Sequence, residues 1–533
     1  MKLKSFGSSA ALIVTTLMLI AAAGPVATAQ VYTDLFNFDG NDGWQPGTAA
    51  LAQGRDGNLY GTTPYGGTSD GVVFKITPNG TQTVLHNFDG TDGAQPYGGL
   101  TLGTDGNFYG TADGGGANNY GTIFKITKSG SLTTLYSFGT ISFYPVAAPI
   151  QGADGNFYGT TLNGTAYKIT PSGTFTSLGA LPGVAYAPLL QATDGNFYGT
   201  TGSGGSGSCQ SGCGTVFKIT SKGVVRIVYN FDSTHGAIPQ NAVIQGADGN
   251  FYGTTDEGGT YGEGVVYRLT PQGAITVLHN FPDPNYPNDG WWPSAGLVQA
   301  TDGNFYGVTE AGGTSCGVIF RITPAGAYSI LYNFGYTYGS SPGSTLMQHT
   351  NGKIYGLAED GTYGYGVVYS FDMGLGPFVH LVSTLGTVGR PVEILGQGFT
   401  GTTAVSFNGT PATYTFVSDT FLEATVPSGA PTGFVTVTTP SGTLTSNQPF
   451  RVTPQILSFT PPSGPVGTSV TITGVSLTQT TNVFFGGVEA TSFTVDSDTE
   501  VTVTVPTGAV TGAIVLTTRG GKTTSPSVFT VTQ

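Results

Sequence analysis

Asp105-Gly-Asn-Phe-Tyr-Gly110 is one member of a series. Further copies begin at Asp56 (with Leu59 in place of Phe), Asp154, Asp194, Asp248 and Asp302, and a diverged seventh reads Asn351-Gly-Lys-Ile-Tyr-Gly356. A spacing of roughly 50 residues lies in the range of propeller blades. Around each copy the chain divides into four short β-type runs, as in Gly99 to Leu102, Asn107 to Thr111, Thr122 to Thr127 and Leu132 to Phe138. Four strands per unit is the content of one blade. Asp-Gly between the first and second runs supplies the positive-φ residues of a tight hairpin, and Thr77-Pro-Asn-Gly80 or Thr127-Lys-Ser-Gly130 marks the turn between the third and fourth. The repeated Asp therefore reads as a turn residue. One carboxylate per unit makes neither the oxygen cluster of a calcium site nor a paired acid and base.

The ends of the series predict how it closes. The seventh unit has a second strand at Lys353 to Leu357 and a third at Gly366 to Phe371, but no fourth. At the other end, Val31-Tyr-Thr-Asp-Leu-Phe-Asn-Phe38 has the fourth-strand pattern of Thr83-Val-Leu-His-Asn-Phe88 and stands before the first unit. The N-terminal strand is expected to complete the last blade, leaving no open edge at the seam. The expected fold is all-β: a seven-bladed β-propeller closed by the N-terminal strand, over 30–374, followed by two immunoglobulin-like β-sandwiches over 375–453 and 454–533.

Asp-Gly-Asn-Phe-Tyr-Gly-Thr, the downstream Gly214-Thr-Val-Phe-Lys-Ile-Thr220 and the Asn-Phe-Asp-Gly that follows resemble the bacterial GloVer tandem-repeat family, from Val31 to about Asp372. The resemblance implies a secreted or surface protein with a variable C-terminal anchoring device, and no shared reaction. The motif is also similar to propeller repeats of some sensor ectodomains. Beyond Leu375, Gly386-Thr-Val-Gly-Arg-Pro-Val-Glu-Ile-Leu-Gly396 aligns with Gly464-Pro-Val-Gly-Thr-Ser-Val-Thr-Ile-Thr-Gly474, and Phe407-Asn-Gly409 with Phe485-Gly-Gly487. Alternating Val, Thr and Ile between Gly and Pro turns indicate small sandwiches. Both copies resemble the IPT/TIG domain, the second more closely, because the first has Thr384-Leu385 where the second has Pro462-Ser463. A spacer or adhesive role is the expectation for the pair.

Composition narrows the partners. With 17 Lys and Arg against 30 Asp and Glu, a net charge of -13 offers no basic patch for nucleic acid. Lys2 and Lys4 precede an apolar run from Ala10 to Ala23 and the small-residue pattern Ala27-Thr-Ala29, which reads as a secretory leader over 1–29. The run is shorter than the ~20 residues of a membrane span. No transmembrane segment is expected once the leader is removed, and no sorting tail or anchor after the last strand. Cys209 and Cys213 suit a local disulfide in an oxidising compartment, and a bridge from either to Cys316 is not expected.

Chemistry is harder to place. His86 and His279 occupy a fourth-strand position that is Phe or Tyr elsewhere, and no Ser or Cys nucleophile motif accompanies any His. Asp39 with Asp42, Asp89 with Asp92, and Asp283 with Asp289 read as Asx turns, with calcium as the alternative; no other cofactor and no metal is expected. The connectors after strands two and four carry all the length variation and should share one face, which is where such scaffolds bind. That face holds Trp44, Trp291 and Trp292, with Tyr336 and Tyr338 at the same connector of the intervening blade. These five residues form the candidate ligand site, an arc suited to sugar rings or a protein partner; the bland alternative is that each Trp wedges between blades. The expected function is an exported, non-catalytic binding or cell-surface protein contacting polysaccharide or envelope protein. The alternatives are a propeller hydrolase or lyase acting on glycans, betrayed by carboxylates converging in a central pocket, and a purely structural spacer.

Overall fold

The computed structural model describes residues 30–46, 50–140, 143–283, 285–286, 288–335 and 339–533, so the leader lies outside the described residues. Every regular element there is a β-strand. Seven four-stranded antiparallel sheets occupy Val31–Asp372, five of them built from four consecutive strands and a sixth interrupted only by the two-residue strand Ala311–Gly312. The second sheet is typical, with strands Leu100–Leu102, Phe108–Ala112, Thr122–Ile126 and Leu132–Ser137. The seventh sheet takes Met347–Gln348, Ile354–Ala358 and Val367–Asp372, and its outer strand is Val31–Asn37, in register from Val31 opposite Asp372 to Asn37 opposite Val367. Strand order puts tight turns at one end of each sheet and the longer connectors at the other.

The repeated motif explains the turn in detail. Asp105 accepts hydrogen bonds from the Asn107 backbone (3.1 Å) and side chain (2.8 Å) and from the Tyr109 hydroxyl (2.8 Å). The same set recurs at Asp56, Asp154, Asp194, Asp248 and Asp302. One detail corrects the expectation: only the Gly of Asp-Gly has positive φ (+79° at Gly106), while Asp keeps ordinary dihedrals. Asp must fold its carboxylate forward onto Asn107, and the Gly alone then absorbs the reversal. The last Gly of the motif is set by packing, since a Cβ on Gly110 would stand 2.5 Å from the Phe124 ring.

Neighbouring sheets are joined by the motif's aromatic pair. Tyr60 stacks on Phe108 (4.0 Å), Tyr109 on Phe157 (3.8 Å), Tyr158 on Phe197 (4.0 Å), Tyr198 lies on Phe251 (4.3 Å), and Tyr252 stacks on Phe305 (4.0 Å). At the next two junctions Tyr306 shares a core with Ile354, and Tyr355 with Leu59. A polar belt follows the same order. Gln151, Gln191, Gln245, Gln299 and Gln348 each accept a hydrogen bond from a turn N–H of the preceding sheet, and Gln53 of the first sheet accepts the Thr350 N–H of the seventh at 3.1 Å. Between the first sheet and the seventh the Gln53–Thr350 bond is of this kind, while Leu59 stands where the other motifs carry the stacked Phe. Only the junction from first to second lacks the bond, because Leu102 stands in the Gln position and Arg55 reaches the Thr104 carbonyl instead.

Beyond Asp372 two sandwiches share one topology. Strands His380–Leu381, Pro391–Leu395, Phe421–Thr425 and Tyr414–Ser418 form one sheet of the first, and Gln455–Thr460, Ser469–Val475, Glu500–Thr504 and Phe493–Ser497 its counterpart in the second. Each has its own core, around Ile394, Phe407 and Val437 and around Ile472, Phe485 and Leu516. The first sandwich is docked on the turn end of the sheets. Arg55 pairs with Glu393 at 2.6 Å and lies 4.8 Å over the Phe421 ring, and Thr420 donates to the Arg55 carbonyl at 2.8 Å. Gln397 donates to Thr350 at 2.9 Å, and Arg451 to the Thr193 carbonyl at 2.7 Å. Cys209 and Cys213 form a disulfide, and Cys316 is buried.

Candidate functional site

With the turn end occupied, the connector end is the open one. Among the described residues of Val31–Asp372, every aromatic side chain more than a third exposed belongs to a connector at that end: Trp44, Tyr144, Tyr186, Tyr261, Trp291, Trp292, Tyr363 and Tyr365. The three Trp are 40%, 37% and 46% exposed, so none is a buried wedge. Tyr336 and Tyr338 lie outside the described residues. Tyr363 and Tyr365 belong to the same seventh sheet but to its other connector, which the sequence reading passed over. Trp44 sits between two sheets, 5.6 Å from Tyr65 of the first and 6.1 Å from Tyr365 of the seventh. The Tyr65 hydroxyl meets that of Tyr97 at 2.6 Å.

Local backbone fixes these side chains. Gln45, Gln95, Tyr144, Ile238, Trp292 and Ser341, each directly before a proline, all have φ between +53° and +60°. In each, the N–H donates to a carbonyl of the preceding repeat's connector, at 3.2 Å from Trp292 to Glu263. The Trp loop has a second anchor. Buried Asp289 accepts from His279 (2.9 Å), from the Tyr328 hydroxyl (2.7 Å) and from the Asp283 N–H (2.7 Å). His279 is therefore more than a strand residue, and Asp289 is the buried lock of the segment that carries Trp291 and Trp292. His86 plays the same part with Asp92 at 2.7 Å. Asp39 and Asp89 make the expected Asx turns, accepting from Asn41 and Thr91 at 2.8 Å each.

Inside the connector end lies a cavity of about 500 Å³, lined by residues from the second to the seventh repeat, among them Tyr97, Tyr186 and Asn241. Its size is that of a small-ligand site, ~300–1,000 Å³. Three carboxylates also line it: Asp113, Asp256 and Glu310. All come from one slot, the first residue after the Gly-Thr-Thr segment of the second strand, which reads Pro64, Asp113, Leu162, Gly202, Asp256, Glu310 and Glu359 around the repeats. Asp256 is pushed up to about 7, by burial first, then by the charge of Glu310, against a stabilising bond from Asn241 at 3.1 Å. Burial likewise raises Asp113, and burial with repulsion from Glu310 and Asp360 raises Glu359. The Asp113 Oδ1 and Ser294 Oγ atoms facing this region are buried without a hydrogen-bond partner. The sequence reading missed this group, although aligning the slot across the repeats contains it. Among the described residues, no cluster of His, Cys, Asp and Glu is spaced to hold a metal ion.

Residues 23–175 and 184–415 match the Gloeobacter/Verrucomicrobia repeat model, and 454–531 match the IPT/TIG domain. The chain belongs to the Gloeobacter/Verrucomicrobia repeat family. No curated protein matches it. Among solved structures, it is similar to the surface glycan-binding protein PbSGBP-B of Prevotella bryantii, at 20% identity and a TM-score of 0.23, over 28% of this chain and 41% of that one. SGBP-B from a complex xyloglucan utilization locus in Bacteroides uniformis matches at 22% identity and 0.15, over 28% and 48%. The chain thus spans less than half the length of these two proteins. A fungal alcohol oxidase of the AA5 family, in complex with copper, matches at 15% identity and 0.45, over 79% and 98%. Among the described residues, no helix is long and apolar enough to cross a membrane.

Proposed function

We propose that the chain is an exported, non-catalytic binding protein of the cell surface whose connector face holds a polysaccharide. In this reading 1–29 is a secretory leader, 30–374 a seven-bladed propeller closed by Val31–Asn37, and 375–453 and 454–533 two sandwiches that carry the propeller. Pairing of Val31–Asn37 with Val367–Asp372 and the Gln53–Thr350 bond support the closure. One observation carries the function: the exposed aromatics of the repeats are confined to the end that the first sandwich leaves open, the same end that holds a cavity lined by aromatic, amide and carboxylate groups. Aromatic faces cover the C–H faces of sugar rings, while carboxylates and amides accept and donate to their hydroxyls. The test is retention on a glycan array. Trp291→Ala with Trp292→Ala should abolish the retention of the wild type, and retention unchanged by the pair would remove the arc from the site.

A second reading, a glycan hydrolase or lyase, is favoured by Asp113, Asp256 and Glu310 sharing one cavity, since such reactions use two carboxyl groups held in different protonation states. Release of reducing ends from a retained glycan, lost in Asp256→Asn while retention persists, would establish it over simple binding.

A further inference from the structure

Cations are scarce in this chain, yet three of the 17 converge on one groove of about 530 Å³ at the turn end, walled by the fourth sheet, the first sandwich and a hairpin of the second. Arg451 is 8% exposed, and among the described residues its side chain makes one hydrogen bond, from Nη1 to the Thr193 carbonyl at 2.7 Å, which uses one of the five N–H donors of a guanidinium. Among the described residues no carboxylate lies within ion-pair distance of it, whereas Arg55 and Lys353 pair with Glu393 and Asp372. Burial holds Arg451 below its ordinary range; Asp194, which lines the same groove, opposes this, and its carboxylate already accepts from Asn196 and Tyr198. Facing Arg451 across the groove, the hairpin tip Thr518-Arg519-Gly-Gly-Lys522 carries the only two cations of 454–533, both exposed and neither in an ion pair among the described residues.

A buried guanidinium without a counter-ion is costly, and two further cations beside it deepen the positive potential in an otherwise acidic molecule. The arrangement is complete once a negative group enters. We propose that this groove binds an oxyanion of the carboxylate, phosphate or sulfate type, through Arg451, Arg519 and Lys522. The planar fork of Arg451 suits two oxygens of one such group, and Arg519 and Lys522 hold it from the solvent side. The source is either a free ion or the acidic residues of a polysaccharide passing under the propeller. The proposal is independent of the connector face, which lies at the opposite end of the sheets.

Titration calorimetry at constant ionic strength tests it, with inorganic phosphate, galacturonate and trigalacturonate as probes, on the full chain and on Arg519→Ser/Lys522→Ser. Both side chains are exposed and unpaired, so the double variant keeps its fold. Saturable binding of one anion per chain is expected, weakened about tenfold or more in the variant, in line with the loss of two charge-assisted contacts. Phosphate bound as tightly as trigalacturonate identifies a free ion, and trigalacturonate bound well above the monomer identifies a polymer. No saturable binding of any probe, or equal binding by the double variant, overturns the proposal. Trp291→Ala/Trp292→Ala should bind these anions like the wild type, so failure here leaves the connector-face reading standing, and the reverse.

Discussion

Asp256 gives a perturbation whose sign runs against intuition, because removing its charge should stabilise the protein. An ordinary Asp titrates near 3.8, and in the folded protein this one is held near 7 by burial and by Glu310. Between these values the folded chain keeps a proton that the unfolded chain releases, so stability falls as pH rises from about 4 to about 7. At ~1.4 kcal/mol per decade, the loss reaches about 4 kcal/mol by pH 8. Asp256→Asn carries no such penalty, and its amide oxygen can still accept the bond from Asn241. The variant should match the wild type at pH 4 and melt about 5 °C higher at pH 8, taking roughly 1–2 °C per kcal/mol for a unit as large as Val31–Asp372. Thermal melts at one scan rate across pH 4 to 8 measure it. Asp154→Asn is the opposite control: burial alone would raise that carboxyl, but bonds from Asn156 and Tyr158 hold it below the ordinary range, so its loss should lower the melting temperature at pH 8 and matter less as pH falls. Parallel curves for wild type and Asp256→Asn would refute the reasoning and remove the case for a carboxyl kept protonated near neutral pH.

Two further outcomes follow from the packing. Deleting Val31–Asn37 strips the outer strand of the seventh sheet, together with the Tyr32–Tyr332 stack at 4.2 Å, and should lower the melting temperature severely; a deletion variant that melts like the wild type would sink the proposed closure. Phe197→Ala empties the fully buried contact with Tyr158 and should cost about 3–5 kcal/mol in urea unfolding, whereas a loss under about 1 kcal/mol would mean that the aromatic pairs do not hold neighbouring sheets together.

The motif Asp-Gly-Asn-Phe-Tyr-Gly carried more than a count of sheets. Its turn chemistry was legible because Asp, Gly and Asn act on their own neighbours, within four residues. The Phe and Tyr were not, because each ring's partner lies in the next repeat, and a single unit read alone cannot show it. The Gln belt escaped for the same reason: Gln151 looks like an ordinary strand end until its oxygen is seen to accept the Thr104 N–H of the preceding sheet. Leu59 and Ile354 then acquire a meaning. They are the two places where the motif loses its Phe, and they fall at the consecutive junctions on either side of the seventh sheet, where Val31–Asn37 joins. Length variation pointed to the end that the first sandwich leaves open, and the Trp residues to part of its exposed aromatic surface. The cavity carboxylates stayed hidden because no local motif brings them together; only the packing order of the sheets does.

That order also gives the site a polarity. Asp256, Glu310 and Glu359 occupy the slot in the fifth, sixth and seventh repeats, which are consecutive, while Leu162 and Gly202 occupy it in the third and fourth. Six of the eight exposed rings are weighted the same way: Tyr261 belongs to the fifth repeat, Trp291 and Trp292 to the connector entering the sixth, Tyr363 and Tyr365 to the seventh, and Trp44 to the connector entering the first, while Tyr144 and Tyr186 enter the third and fourth. The arc from the fifth repeat to the first thus holds three of the four slot carboxylates and six of the eight exposed rings, with Asp113, Tyr144 and Tyr186 on the other side. On the binding reading proposed above, a ligand lying from Trp44 toward Trp292, with its polar edge turned into the cavity, would meet both the rings and the carboxylates of this arc. Above about pH 7, where Asp256 is ionised as well, these carboxylates disfavour an anionic glycan on this face through charge repulsion. The two ends of the sheets would then select opposite ligands, hydroxyl-rich and uncharged at the connectors, anionic in the groove around Arg451.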